Sequence, residues 1–182
     1  MASNSRTGKS VGGWRPVIAI AALPARLVVG GIFLIAGIDK VQAPGAFADA
    51  IRAFHLLPPE LVLPLAFVLP WLELLVAAYL LLGFMTRPAS IGAGVLLLGF
   101  VVALGSSLVT GNTDHACGCF GSGDSVNPVL AFLAGGSTIT WWDLIRDLLL
   151  IGLATLVFVC GPGLLSLDGL IGRRSAQYRV TA

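Results

Sequence analysis

The sequence predicts an all-α integral membrane protein, a bundle of four transmembrane helices with both termini in the cytoplasm. Three observations carry that reading. Of the 182 residues, 57% are hydrophobic and only 11% charged, a balance that a soluble domain of this length does not need for its core. Four apolar runs, at 17–38, 61–84, 89–109 and 144–167, are long enough to cross roughly 30 Å of hydrocarbon at about 1.5 Å per residue. None shows the two-residue alternation of a barrel strand, and in lipid only helices and closed barrels satisfy their own backbone.

The distribution of charge orients the spans. Arg6, Lys9 and Arg15 precede the first run, Arg87 follows the second, and Arg173, Arg174 and Arg179 follow the fourth. If the spans alternate, these seven fall on one side, against Lys40 and Arg52 on the other, which places the seven in the cytoplasm. Residues 1–16 then form a cytoplasmic tail. The run after it is too long for a cleaved signal and reads as a retained anchor. The first outer loop, 39–60, has a turn at Pro44-Gly45, a short amphipathic stretch over 46–54, and Pro58-Pro59 before the second span. Pro64 and Pro70 bend that span. A short inner turn leads to the third span. The second outer loop, 110–142, contains GNTDHACGCFGSG and ends at Trp141-Trp142, indoles that suit the outer interface. Residues 168–182 form the C-terminal tail in the cytoplasm. There is no internal repeat, no second domain and no nucleotide motif. Gly30, Gly31, Gly37, Gly92, Gly94 and Gly99 read as close-packing positions between helices. A net charge of +2, with no basic run interleaved with aromatics, argues against nucleic acid; lipid is the obligatory partner.

The sharpest chemical signal is Cys117-Gly118-Cys119 in the second outer loop. Two cysteines two apart can bring their α-carbons within the roughly 4.4–6.8 Å of a disulfide, but the small ring is strained and therefore easily reduced. Gly118 and Gly121 leave room for an incoming thiolate, and His115, when protonated, lowers the pKa of a neighbouring thiol. The competing readings are a static clip and a metal site built from His115, Cys117 and Cys119 with Asp114 or Asp124. No CxxC pair and no CxxCH haem-attachment motif is present. Cys160 lies about 25 Å farther in along the fourth span and cannot resolve the pair. With one thiol pair on one face, either a membrane quinone takes or gives the electrons or the chain is one station in a relay.

Two further groups concern charge in the membrane. Arg26 and Glu73, counted from the inner ends of their spans, lie at about 14 and 16 Å. Equal depth on successive helices predicts a buried Arg26–Glu73 ion pair. Arg146 and Asp147 open the fourth span near Trp142, and Asp39 and Lys40 close the first at a similar level. Together they predict a polar mouth under the cysteines, with Lys40, Trp142 and Arg146 suited to a quinone head group, or else a set of interfacial anchors.

These residues together resemble the MauE/DoxX family of bacterial membrane proteins, the methylamine utilisation branch in particular. The resemblance rests on R-x3-G-G with a following G-x2-K (Arg26, Gly30, Gly31, Gly37, Lys40), LPWLELL around Glu73, CGCFG at 117–121, and WWDLIRDLLL at 141–150. It covers the membrane part from Arg26 to about Leu150. It implies a four-helix bundle of the bacterial cytoplasmic membrane, with the cysteine loop outside and a role in redox maturation there. The methylamine branch implies a thioredoxin-like partner, and the DoxX and DoxD relatives imply thiosulfate or sulfide oxidation coupled to quinone. The expectation is a membrane thiol–disulfide oxidoreductase component using Cys117 and Cys119, with His115 activating Cys117. The alternatives are a non-catalytic anchor or assembly subunit and a metal-handling protein.

Overall fold

A computed structural model describes residues 14–114 and 138–160, with side chains from residue 22 onward. Five helices follow in order: α1 (Trp14–Gln42), α2 (Pro44–Ala53), α3 (Pro59–Leu82), α4 (Thr86–Thr110) and α5 (Trp141–Cys160). No strand is present among the described residues. The four long helices form a ring in which α1 packs on α3 and α5, and α4 packs on α5 and α3.

The surface of the ring is apolar. Phe67, Trp71 and Leu82 of α3, Val95 and Leu98 of α4, and Leu149 of α5 are all exposed, an outward display that belongs in lipid rather than in water. Helices α3, α4 and the stretch Ala22–Gln42 of α1 are long and apolar enough to cross a membrane. Helix α5 differs because Asp143, Arg146 and Asp147 crowd its first two turns. Its buried residues, Asp143, Arg146, Asp147, Leu150, Ala154 and Val157, recur at intervals of three and four. The charged end of α5 therefore faces the bundle axis, with Leu148 and Leu149 outward.

Local chemistry sets the turns. The α3–α4 turn is a Schellman cap: Gly83 takes φ +68, its N–H donates to Leu80 O, and Phe84 N–H donates to Tyr79 O. The Tyr79 and Phe84 rings meet at 6.0 Å, the hydrophobic contact that accompanies this cap. The reversal after α1 uses Pro44 in the first turn of α2, where its missing N–H costs nothing. Within the helices, Ser90, Ser106 and Thr155 hydroxyls donate to carbonyls one turn back, as polar side chains in lipid must find partners.

Helix α2 corresponds to the stretch that the sequence marks as amphipathic. Phe47, Ala48 and Ile51 are buried against Val62 and Ala66 of α3, with Leu69 packed alongside, and Asp49 and Arg52 pair on the exposed face. This arrangement follows from a mismatch in length. Glu73 meets Lys40 two residues before α1 ends, yet α3 runs on from Glu73 to Pro59, about 21 Å. Helix α2 covers the part of α3 that α1 does not reach.

The α1–α3 register is set by glycine. A Cβ on Gly30 would lie 3.0 Å from Leu81 Cγ, and one on Gly37 would lie 3.0 Å from Leu74 and 3.2 Å from the carbonyl oxygen of Pro70. At Gly31 nothing lies within 4 Å. Because a backbone oxygen cannot step aside as a leucine tip can, Gly37→Ala should destabilise the bundle by about 1–3 kcal/mol, an overpacking cost. Gly31→Ala should be neutral or stabilising. Thermal melting of the two variants in the same detergent tests the contrast; equal melting temperatures would show that the α1–α3 contact is not glycine-limited.

Candidate functional site

One buried ion pair joins α1 to α3. Lys40 Nζ donates to both carboxylate oxygens of Glu73, at 2.6 and 2.8 Å, and both side chains are essentially inaccessible. Two phenyl rings close over the ammonium: its nitrogen lies 5.1 Å from the Phe47 ring centre and 4.8 Å from that of Phe100. Cation–π attraction is strongest when the cation is desolvated, as here. Four elements thus meet at one nitrogen, with Lys40 from the last turn of α1, Phe47 from α2, Glu73 from α3 and Phe100 from α4.

A second charged group lies on α5. Asp143 Oδ2 accepts from the backbone N–H and the hydroxyl of Thr140, at 2.9 and 2.8 Å, in the manner of a capping box. Its Oδ1 accepts from Arg146 Nη1 at 3.0 Å, and Asp147 Oδ1 lies 3.4 Å from Arg146 Nη2. All three residues are buried. The two groups adjoin, since Glu73 and Asp147 line one small cavity of about 10 Å³ with Phe33, Ala36 and Phe100. That is room for about one water-sized sphere.

A larger cavity of about 280 Å³ lies between α2, α3 and α4. Its lining is wholly apolar and includes Phe47, Phe54, Leu69, Leu96, Gly99 and Phe100. Phe47 and Phe100 are therefore shared: they line this cavity and hold the Lys40 ammonium.

The pairing differs from the expectation at Glu73. Its carboxylate is held by Lys40, and Arg26 lies fourteen residues earlier in α1, about 21 Å along the axis. The expectation assumed that α1 and α3 start flush at the inner surface. Gly30 instead packs level with Leu80 and Leu81, and Gly37 with Pro70 and Leu74, which sets Arg26 level with the α3–α4 turn. Arg26 is buried there. Lys40 likewise is not a surface residue of a polar mouth; α2 roofs it. Arg146 is buried between its two aspartates, whereas Trp142 is 54% exposed on the outer side of α5. Sequence reasoning did not single out Phe47 or Phe100. Phe47, just after the Pro44-Gly45 reversal, was within reach of a local argument; Phe100 was not, because only the closed ring brings α4 to Lys40.

His115, Cys117, Cys119 and Asp124 lie outside the described residues. The two points at which their segment leaves and rejoins the bundle are described. Ile139 N–H donates to Thr113 O at 3.0 Å, and Asn112 Nδ2 donates to Ala53 O at 2.8 Å. The segment thus departs and returns beside the end of α2 and the start of α5. Cys160 is a free thiol at the opposite end of α5.

A family model described as methylamine utilisation protein MauE matches residues 17–160. The chain belongs to the MauE family. Curated MauE proteins align with it at 30% identity in Paracoccus denitrificans, over 71% of this chain and 63% of the relative, and at 37% in Methylorubrum extorquens, over 59% and 60%. The protein of Methylophilus methylotrophus is 35% identical over 54% of this chain and 52% of its own length. The chain therefore spans about three fifths or less of these relatives. No solved structure matches. The MauE model covers every residue of both charged groups, so the polar centre lies within the family's own region.

Removing one partner of a buried pair leaves the other charge without compensation, at a cost of about 3–5 kcal/mol. Lys40→Met should therefore destabilise strongly, and the double variant Lys40→Met/Glu73→Leu should recover most of the loss. A double-mutant cycle on detergent-solubilised protein measures this; additive losses would show that the two side chains do not depend on each other.

Proposed function

We propose that this MauE-family membrane protein is a thiol–disulfide redox component serving methylamine utilisation, with Cys117 and Cys119 exchanging disulfides with a thioredoxin-like extracytoplasmic partner. The family assignment supports the cellular task, since the curated relatives are named for methylamine utilisation. The sequence supports the chemistry. Cys117-Gly118-Cys119 combines a strained ring with glycines that admit a partner sulfur, and His115 beside Cys117 favours its thiolate.

The observation that carries the reading is the fastening of the cysteine segment. The bond from Ile139 N–H to Thr113 O ties its two ends together at the end of the bundle where Asp143, Arg146 and Asp147 are buried. A dithiol that meets a folded partner is best offered from one defined end of the bundle, and the closure of the segment's ends there supports that reading. By the positive-inside distribution that end faces outward.

Exchange conserves electrons. The Cys117 thiolate of the reduced pair attacks one sulfur of a partner disulfide, whose other sulfur leaves as a thiolate. Cys119 then attacks Cys117 Sγ in the mixed disulfide and releases the partner as a dithiol, so the pair is oxidised and the partner reduced by two electrons; the same steps run backward in the reverse exchange.

In cells, Cys119→Ser should accumulate a mixed disulfide on Cys117, visible as a reductant-sensitive adduct of higher mass that the Cys117→Ser/Cys119→Ser variant lacks. A membrane-impermeant maleimide should label the reduced pair from outside. Finding no adduct, with the wild-type pair oxidised under every growth condition, would leave a structural clip; labelling only after the inner face is opened would reverse the topology.

A further inference from the structure

We infer that the lipid-facing side of α3 is a self-association surface, on which a second copy of this chain docks with Trp71 against its own counterpart.

An indole out of place marks this side. Helix α3 is long and apolar enough to span, with Glu60 exposed at one end and Arg87 exposed just beyond the other. Trp71 lies about 18 Å from Pro59 and about 17 Å from Leu82 along the axis, at the middle of the bilayer. Its side chain is 62% exposed there. Tryptophan belongs at the head-group level, where Trp141 and Trp142 open α5, because its ring suits an apolar setting and its N–H a polar one. At mid-depth lipid offers that N–H no acceptor, and an unsatisfied donor in hydrocarbon is costly. An aliphatic side chain faces acyl chains without that cost, as Val68 and Leu75 do one turn away on either side. Bare lipid therefore does not account for Trp71; a protein surface with an acceptor does.

The surroundings of Trp71 have the spacing of a helix–helix seam. Pro64, Val68, Trp71, Leu75, Ala78 and Leu82 are all exposed and follow one another at intervals of four and three. That is the alternation by which two helices pack in a left-handed crossing of about 20°. The stripe carries no charge, since Glu73 is buried and bonded to Lys40. The other sides of α3 are taken, by α1 at Pro70 and Leu74 and by α2 at Val62 and Ala66.

A second copy is the occupant that matches. Both copies insert the same way round, so a two-fold axis along the membrane normal brings each residue to its counterpart at equal depth. The indole then meets another at its own level, with the rings offset and an N–H directed at the negative face of the facing ring. Ala78, two seam positions toward Leu82, is small enough to let the backbones approach. Glu60 faces its counterpart at the head-group level, where water and salt screen the two carboxylates. A different membrane protein would have to bring an acceptor to the depth of Trp71; a second copy brings one by symmetry.

Cysteine cross-linking in phosphatidylcholine liposomes tests the face. On the full chain with Cys117, Cys119 and Cys160 replaced by Ser, Val68→Cys and Leu75→Cys should form a covalent dimer under mild oxidation. Val95→Cys on α4 and Leu149→Cys on α5, equally exposed, should not. Single-molecule photobleaching of the tagged wild-type chain should show pairs that dissociate as lipid is added. Trp71→Leu should move that dissociation about tenfold toward higher protein density, at unchanged melting temperature in dilute detergent, because the ring stands outside the bundle's own core. Photobleaching keeps the native cysteines, so it decides the matter even where the cysteine-free chain does not fold. Single steps from the wild type at every protein-to-lipid ratio, cross-links as strong from Val95→Cys or Leu149→Cys as from Leu75→Cys, or equal dissociation of wild type and Trp71→Leu would each overturn the inference.

Discussion

A charge placed in lipid has to find its counter-charge inside the same protein, and in this chain the Lys40–Glu73 pair meets that requirement in one place. Its two short hydrogen bonds reach across α1 and α3, and the phenyl rings of Phe47 and Phe100 stand over the ammonium. Much of the architecture follows. Glu73 lies about 21 Å into α3 from Pro59, so α1 cannot accompany α3 to its end and still present Lys40 in its last turn. The exposed half of α3 then needs another cover. Helix α2 supplies it, and Pro44 makes the reversal that brings α2 back.

Burying this pair is not by itself a stabilising choice. Well-packed apolar residues in the same positions are often as stable or more so, and the glycine contacts at Gly30 and Gly37 already specify how α1 meets α3. What apolar residues cannot provide is an oriented dipole and a carboxylate at the bundle axis. Glu73 shares a cavity the size of one water with Asp147, whose neighbour Arg146 is also bound to Asp143. The charged groups of α1, α3 and α5 thus form a connected polar centre rather than isolated anchors. Intramembrane ionisable groups arranged in this way are the usual substrate of function in membrane proteins.

The all-helical membrane class was legible in composition and in the length of the apolar runs, because lipid leaves so few ways to satisfy a backbone. The amphipathic stretch after Lys40 was legible too, since Pro44-Gly45 and the spacing of Phe47 and Ile51 are local signals. The partner of Glu73 was not. Counting depth along each helix from an assumed common surface matched Arg26 to Glu73, whereas the true register depends on which glycine faces which side chain on another helix. That is a long-range fact, and no single-helix periodicity contains it. Burial of Arg146 was missed for a related reason. Beside two tryptophans it reads as an anchor, and only the inward face shared by Asp143, Asp147 and Leu150 reveals that the charges turn to the axis while the indoles stay outside.

The two cavities adjoin the same ion pair. On the α5 side the cavity has room for about one water-sized sphere, and Glu73 and Asp147 are the two charged residues of an otherwise apolar lining. On the α2 side the lining is apolar and the cavity far larger, about 280 Å³ against about 10 Å³. Phe100 belongs to both cavities, and Glu73 faces only the narrow one. Phe100 therefore separates the carboxylate side of the pair from the apolar chamber. Merging the two spaces would cost the polar centre the low dielectric that makes its dipole effective, which is the physical reason for placing two phenyl rings, rather than two polar side chains, over the lysine.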